Sequence, residues 1–168
     1  MKGTERLIGR RRLELGVGTV VWKKDGQENA LFLFGMRNTY PVGCWSLVGG
    51  SVESDSVKIA AAREMFEEVG IVIIPNDLRV ISIDDKDICH TGFLNFGCEI
   101  QLPKSYELDL SLATHRFEFQ EWDWFSLADP NSLTFVDQDG RMINKTNIFT
   151  PCLPTLQCFI EGKLQIRG

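Results

Sequence analysis

The chain has 168 residues and a formal net charge of −5 from 18 basic and 23 acidic side chains. That length suits one domain with a sizeable core, and 43% apolar with 24% charged residues excludes a disordered or fibrous chain. The acidic balance argues against a nucleic-acid polymer as partner, because a polyanion is met by a basic field. No apolar run approaches the ~20 residues of a membrane-spanning helix.

Five cysteines, Cys44, Cys89, Cys98, Cys152 and Cys158, form an odd set without C-x-x-C spacing. They read as reduced thiols, so a cytoplasmic setting is expected. The start MKGTERLIGRRR lacks an apolar core, so no secretory leader is expected there. Residues 1–12 are taken as an N-terminal extension of a single domain spanning 1–168.

Residues 13–22 (LELGVGTVVW) predict a strand, rich in β-branched and apolar side chains. Asp25-Gly26 signals a hairpin turn, and residues 30–36 (ALFLFGM) return as a second strand. Residues 37–43 read as a polar loop, and 45–48 as a short strand feeding Gly49-Gly50. Residues 78–83 and 92–100 predict further strands, and 117–125 (FEFQEWDWF) alternates apolar and polar in the manner of another. The Pro-punctuated stretch 149–160 is expected to end in a helix.

The informative stretch is 49–71, GGSVESDSVKIAAAREMFEEVGI. Residues 56–69 contain neither Pro nor Gly and are rich in helix formers. Ser54 or Asp55 is the expected N-cap, and Gly70 ends the helix. Ile59, Ala62, Phe66 and Val69 make an apolar stripe at three- and four-residue steps. Val57, Ala61, Glu64 and Glu68 trace a second line. Positions three and four apart share a helix face, so Glu64, Glu67 and Glu68 should project together, with Arg63 one turn from Glu67 to orient it. Three crowded carboxylates repel one another unless a cation neutralises them, and hard oxygen donors suit magnesium or manganese. The plain alternative is a solvated acidic face. The glycine pair, the Arg-Glu element and the gap lengths weigh against it.

This pattern resembles the signature of the Nudix hydrolases, G-x5-E-x7-R-E-U-x-E-E-x-G-U with U aliphatic. Gly49 opens it, Arg63-Glu64-Met65 is the R-E-U element, Glu67-Glu68 the acidic pair and Gly70-Ile71 the close. The departures are Asp55 for the first Glu, Met65 for a branched aliphatic, and Leu-Val-Gly-Gly where many members have Leu-Pro-Gly-Gly. The resemblance implies an α/β fold, an α/β/α sandwich with a mixed β-sheet. It implies metal-dependent hydrolysis of a nucleoside diphosphate linked to another group. Arg63, Glu64, Glu67 and Glu68 would be the catalytic set. Glu64, Glu67, Glu68, Glu118 and the backbone carbonyl of Gly49 would hold Mg2+ or Mn2+. The water's proton would go to one of these carboxylates, Glu118 among them, or to Glu121, and the sequence leaves that open. Asp55 is expected to cap the helix rather than to bind metal.

Gly16-Val-Gly-Thr-Val-Val, Phe34-Gly-Met-Arg37 and Glu121-Trp-Asp-Trp124 are similar to the MutT-like nucleoside triphosphate branch. The expected partner is therefore a small nucleotide. Arg37 is the candidate for its phosphates, against the plain reading of a solvated hairpin-end arginine. Trp124 and Phe149 are candidates for its base, against ordinary core packing. His90 is a candidate polar contact, against a surface histidine. A nucleotide-sugar hydrolase and a non-catalytic nucleotide-binding module remain alternatives, and a homodimer is compatible with each.

Overall fold

The computed structural model describes residues 13–85 and 92–162, with the backbone of 165–167 in addition. The expectations placed on residues 1–12, Cys89 and His90 lie outside the described residues.

Strands β1 (Glu14–Lys24) and β2 (Ala30–Arg37) form a hairpin. Asp25 organises its turn by accepting from the backbone N–H groups of Gln27 (2.7 Å) and Asn29 (2.9 Å), as short acidic side chains do in turns. The hairpin pairs only next to its turn, Trp22 to Lys24 against Ala30 to Phe32. Beyond it the strands part, and two short strands occupy the gap. Strand β3 (Trp45–Ser46) pairs with β2, and β4 (Val48–Val52) pairs with β1, setting Gly49 opposite Gly18. Strands β5 (Arg79–Asp84), β6 (Phe93–Gln101), β7 (Phe119–Asp129), β8 (Thr134–Asp137), β9 (Met142–Ile143) and β10 (Gln165–Arg167) complete the sheet. Its order is β10-β5-β6-β1-β2-β7-β8-β9. Strand β1 runs parallel to β6 from Glu14/Phe93 to Trp22/Gln101 and antiparallel to β2 and β4, so the sheet is mixed.

Alternation along β1 sends successive side chains to opposite faces. Val17 and Val21 join Leu33, Val48, Met65, Val69 and Cys98 beneath helix α1 (Val57–Val69). Val20 joins Phe32, Phe34, Phe125, Phe135 and Leu156 beneath helix α2 (Leu153–Glu161). One helix on each face gives the expected α/β/α sandwich.

Three local expectations are corrected. Of the stripe Ile59, Ala62, Phe66 and Val69, Val69 is buried in the core, while Ile59 and Phe66 are 49% and 37% exposed. The buried face carries Ala60, Ala61, Glu64, Met65, Glu68 and Val69. Small alanines there let α1 lie close on the sheet, so two glutamates descend with the core side chains. The N-cap is Ser56, neither Ser54 nor Asp55. Ser56 has extended backbone and its hydroxyl accepts from the Ile59 N–H at 3.3 Å. The strand expected over 117–125 begins at Phe119, because residues Arg116–Glu118 close into a 3-10 turn. Gly70 does end α1, at φ 71, donating to the carbonyls of Met65 and Phe66.

Candidate active site

The site is built where β4 turns into α1. Glu68 is 1% exposed, and its carboxylate accepts the Gly49 N–H at 3.1 Å. Glu64 is 7% exposed and lies against Gly50, where an added Cβ would overlap its carboxylate. An added Cβ at Gly49 would strike the Val17 carbonyl across the β1–β4 pairing. Both glycines are thus required by close approach, one by a side chain and the other by backbone.

Arg63 ties the outer side together. Its Nη1 donates to Glu64 Oε1 at 2.7 Å and Glu67 Oε2 at 3.3 Å, and its Nη2 donates to the Ser51 carbonyl at 2.8 Å. Its Nε reaches Asp55 Oδ2 only at 3.5 Å, while Asp55 Oδ1 is buried without a hydrogen-bond partner. Asp55 therefore works as an arm of the arginine network. The box folds this way because Arg63 and Glu67 stand one helical turn apart while the β4 backbone passes alongside.

The electrostatics follow from burial. Desolvation pushes the Glu68 carboxyl well above its usual range. The Gly49 N–H opposes this, neighbouring Glu64 and Glu118 reinforce it, and Arg37 opposes it. Glu64 is raised by burial first, with Arg63 pulling it down and Glu67 and Glu118 pushing it up. Burial works against the Arg63 charge, yet Glu64, Glu67 and Asp55 hold its guanidinium above the ordinary value.

The donor set fits a hard divalent cation. Glu64 and Glu68 are buried, Glu118 adds to the negative field around both, and Glu68 has a backbone amide as its neutral donor. Oxygen-only ligands are those Mg2+ and Mn2+ take. Among the described residues no three His, Cys, Asp or Glu side chains already converge at ligand spacing. Arg63 draws Glu64 and Glu67 to itself, whereas Glu68 turns to Gly49.

A cavity of about 210 Å3 opens beside the glycine pair, lined by Gly16, Arg37, Gly49, Asn95 and Phe149 among others. The Arg37 guanidinium lies 4.4 Å over the Phe149 ring, and its Nη2 donates to the Tyr40 carbonyl at 2.9 Å. Arg37 Nε is buried and has no hydrogen-bond partner. The structure thus brings Arg37 and Phe149 into one cavity with Gly49, whose N–H is bonded to Glu68, while none of the box carboxylates lines that cavity. Trp124 is not among them. It lines a separate cavity of about 930 Å3 with Lys23, Asp123 and Phe159, and Lys23 Nζ lies 4.6 Å over its ring. Strand pairing places Trp124 opposite Leu33, towards the turn end of the β1–β2 hairpin and away from Arg37, which pairs with Phe119. Glu121 is likewise diverted, since it binds Arg141 Nη1 at 2.7 Å in a cluster with Asp123 and Asp137.

Three residues at or near the site were not anticipated. Phe93 and Asn95 enter the cavity from β6, and nothing in an ordinary strand sequence marks them. His115 lies against Glu67 and Glu118, and its H-x-x-E spacing to Glu118 was the available signal.

No curated protein matches the chain in sequence. Solved structures do match its fold. A MutT/nudix family protein from Enterococcus faecalis aligns at TM-score 0.67 and 18% identity, over 88% of this chain and 61% of that one. The present chain therefore spans about three-fifths of that protein's length. A MutT protein from Methanosarcina mazei Go1 aligns at TM-score 0.59 and 20% identity, over 89% and 94% of the two chains. The NUDIX domain of Shewanella oneidensis NrtR, complexed with ADP ribose, aligns at 0.60 and 15% identity, over 89% and 88%. At such identities these likenesses speak for the fold. The NUDIX domain family model matches residues 12–146, taking in β1, the glycine pair, the R-E-x-x-E-E helix and the strands that flank them, and on that match the chain belongs to the NUDIX domain family.

Proposed function

We propose that the chain is a divalent-metal-dependent hydrolase of nucleoside diphosphate derivatives, cleaving a nucleoside triphosphate to the monophosphate and pyrophosphate. One observation carries the reading. Two carboxylates, Glu64 and Glu68, are buried together under Gly49-Gly50, with Glu118 adding to their negative field, and a 210 Å3 cavity bearing Arg37 adjoins them. Such a concentration of buried negative charge is costly without a cation, and a phosphate chain needs one.

Glu64, Glu67, Glu68, Glu118 and the Gly49 carbonyl would hold Mg2+ or Mn2+, which when bound neutralises phosphate oxygens and polarises the attacked phosphorus. Arg63 fixes the outer pair, Glu64 and Glu67, in hydrogen-bonded positions. Glu118, more exposed than the box pair, is the better placed proton acceptor for a water molecule. Arg37, which lines the cavity, would bring its guanidinium to a phosphate oxygen. Because Arg37 already covers one face of Phe149, a base would stack against this pair rather than on a bare ring. The ADP ribose in the Shewanella oneidensis NUDIX domain supports a nucleoside diphosphate as the common element of the substrate.

The test is a panel of nucleoside triphosphates, nucleotide sugars and ADP ribose with Mg2+, scored for released pyrophosphate or monophosphates. A triphosphate should lead in kcat/KM by ~10-fold, about 1.4 kcal/mol in transition-state binding. A faster nucleotide sugar would move the substrate assignment and leave the metal chemistry. Binding without turnover on every compound would make the chain a nucleotide-binding module.

A further inference from the structure

The carboxylate that complements the box comes from outside it, and the structure shows what holds it there. Glu118 ends the long connection between β6 and β7. Two anchors dock its last residues. The His115 N–H donates to the Glu67 carbonyl at 2.7 Å, near the end of α1. Asn38, just past β2, donates its backbone N–H to the Glu118 carbonyl at 2.8 Å and its side-chain Nδ2 to the Phe117 carbonyl at 3.0 Å.

Between these anchors stands the His115 imidazole. Its Nδ1 is 3.4 Å from Glu67 Oε2 and 3.9 Å from Glu118 Oε1. A carboxylate of the box and the carboxylate of the connection thus face the same nitrogen. Two carboxylates brought this close without a donor between them would repel and swing apart. The half-exposed imidazole stands between them and can offer its single Nδ1–H to the nearer, Glu67, while its own backbone is pinned to α1.

Resting on the metal-dependent reading above, we propose that His115 is a positioning residue, a strut that fixes Glu67 and Glu118 relative to each other so that both address one divalent cation. His115 acts through the two carboxylates and is not itself a ligand. Residues that orient metal-binding side chains are worth ~10- to 100-fold in affinity when removed. The backbone anchors explain why the imidazole is so well placed, and they are independent of its side chain.

The experiment measures Mn2+ binding by calorimetry on the purified, metal-stripped full chain, beside the thermal midpoint and Mg2+ activation of hydrolysis. His115→Ala should weaken Mn2+ binding by ~10-fold and raise the Mg2+ concentration for half-activation by a similar factor, with nucleotide KM at saturating metal unchanged. The midpoint should move little, because the backbone bond to Glu67 remains. His115→Asn places an amide nitrogen where Nδ1 stands and should recover most of the affinity. Asn38→Ala serves as the comparison that loosens the same connection without touching the imidazole's contacts. Wild-type Mn2+ affinity in His115→Ala overturns the proposal, as does an Asn variant no better than Ala. A wild-type chain that binds no Mn2+ would overturn the metal-dependent reading itself. Weakened Mn2+ binding in a chain that hydrolyses no nucleotide would leave the strut standing and remove only the catalytic reading.

Discussion

Gly49 and Glu68 are joined by a hydrogen bond of 3.1 Å, from the backbone N–H of the first residue of the box to a carboxylate that is 1% exposed. One contact ties the loop to the helix and fixes the site's most buried charge. Glu68→Gln keeps the shape and removes the charge. Hydrolysis should fall by at least ~10-fold at saturating Mg2+, and wild-type rates would remove Glu68 from the ligand set.

The same burial makes a pH prediction for the metal-stripped protein. The folded Glu68 carboxyl sits well above its unfolded value because of desolvation. A group raised on folding adds stability that is full below the unfolded pKa, near 4.5, and is lost as pH rises through the folded value. With chelator present, thermal stability should therefore decline from mildly acidic towards neutral pH. Glu68→Gln should flatten this decline, and added Mg2+ should oppose it. Identical pH profiles for wild type and variant would contradict the assignment of the charge to Glu68.

Gly50 leaves no room for a Cβ because the Glu64 carboxylate fills that space. Gly50→Ala should push Glu64 off Arg63 and lower kcat by ~10-fold or more, with overpacking costing ~1–3 kcal/mol in stability. At Gly97, where a Cβ would meet the Ser82 and Thr155 hydroxyls, the same substitution should cost stability alone. Chemical denaturation beside steady-state kinetics separates the two cases.

The helix cap and the arginine tether are distinct side chains. Ser56→Ala should cost ~1 kcal/mol and leave kcat near wild type, since its hydroxyl serves only the Ile59 N–H. Asp55→Asn should cost less stability, because its contact with Arg63 is long and partly exposed. It should nevertheless lower kcat a few-fold by loosening Arg63. A larger stability loss for Asp55→Ala than for Ser56→Ala, with Asp55→Asn mild, would return the cap to Asp55.

Two aromatics offered by the sequence divide by place. Phe149→Ala should raise nucleotide KM more than it lowers kcat, since it removes the ring under Arg37 beside the box. Trp124→Ala should leave KM unchanged and lose packing, at less than the ~3–5 kcal/mol of a fully buried Trp because the ring is only partly buried. A KM change in the Trp124 variant would shift the base to the larger cavity.

The sequence by itself determined the box. A fixed spacing of Gly49, Arg63, Glu64, Glu67 and Glu68 can be read without coordinates, because helical periodicity converts spacing into a shared face. It also determined the hairpin at Asp25-Gly26, most strands and the helix end at Gly70, since turns and caps depend on local backbone preferences. Only the tertiary structure decided which face of α1 is buried. Val69 of the apolar stripe is buried, but Ile59 and Phe66 lose to a face with Ala60, Ala61 and two glutamates, because close approach to the sheet favours small side chains and the glycine pair makes space for carboxylates. It also decided that Arg37 meets Phe149 across 112 positions of sequence, that Trp124 joins neither, and that His115 and Glu118 return to the box from a distant connection. Such meetings depend on how β1 and β2 splay and on where long connections dock, and strand alternation carries no record of either.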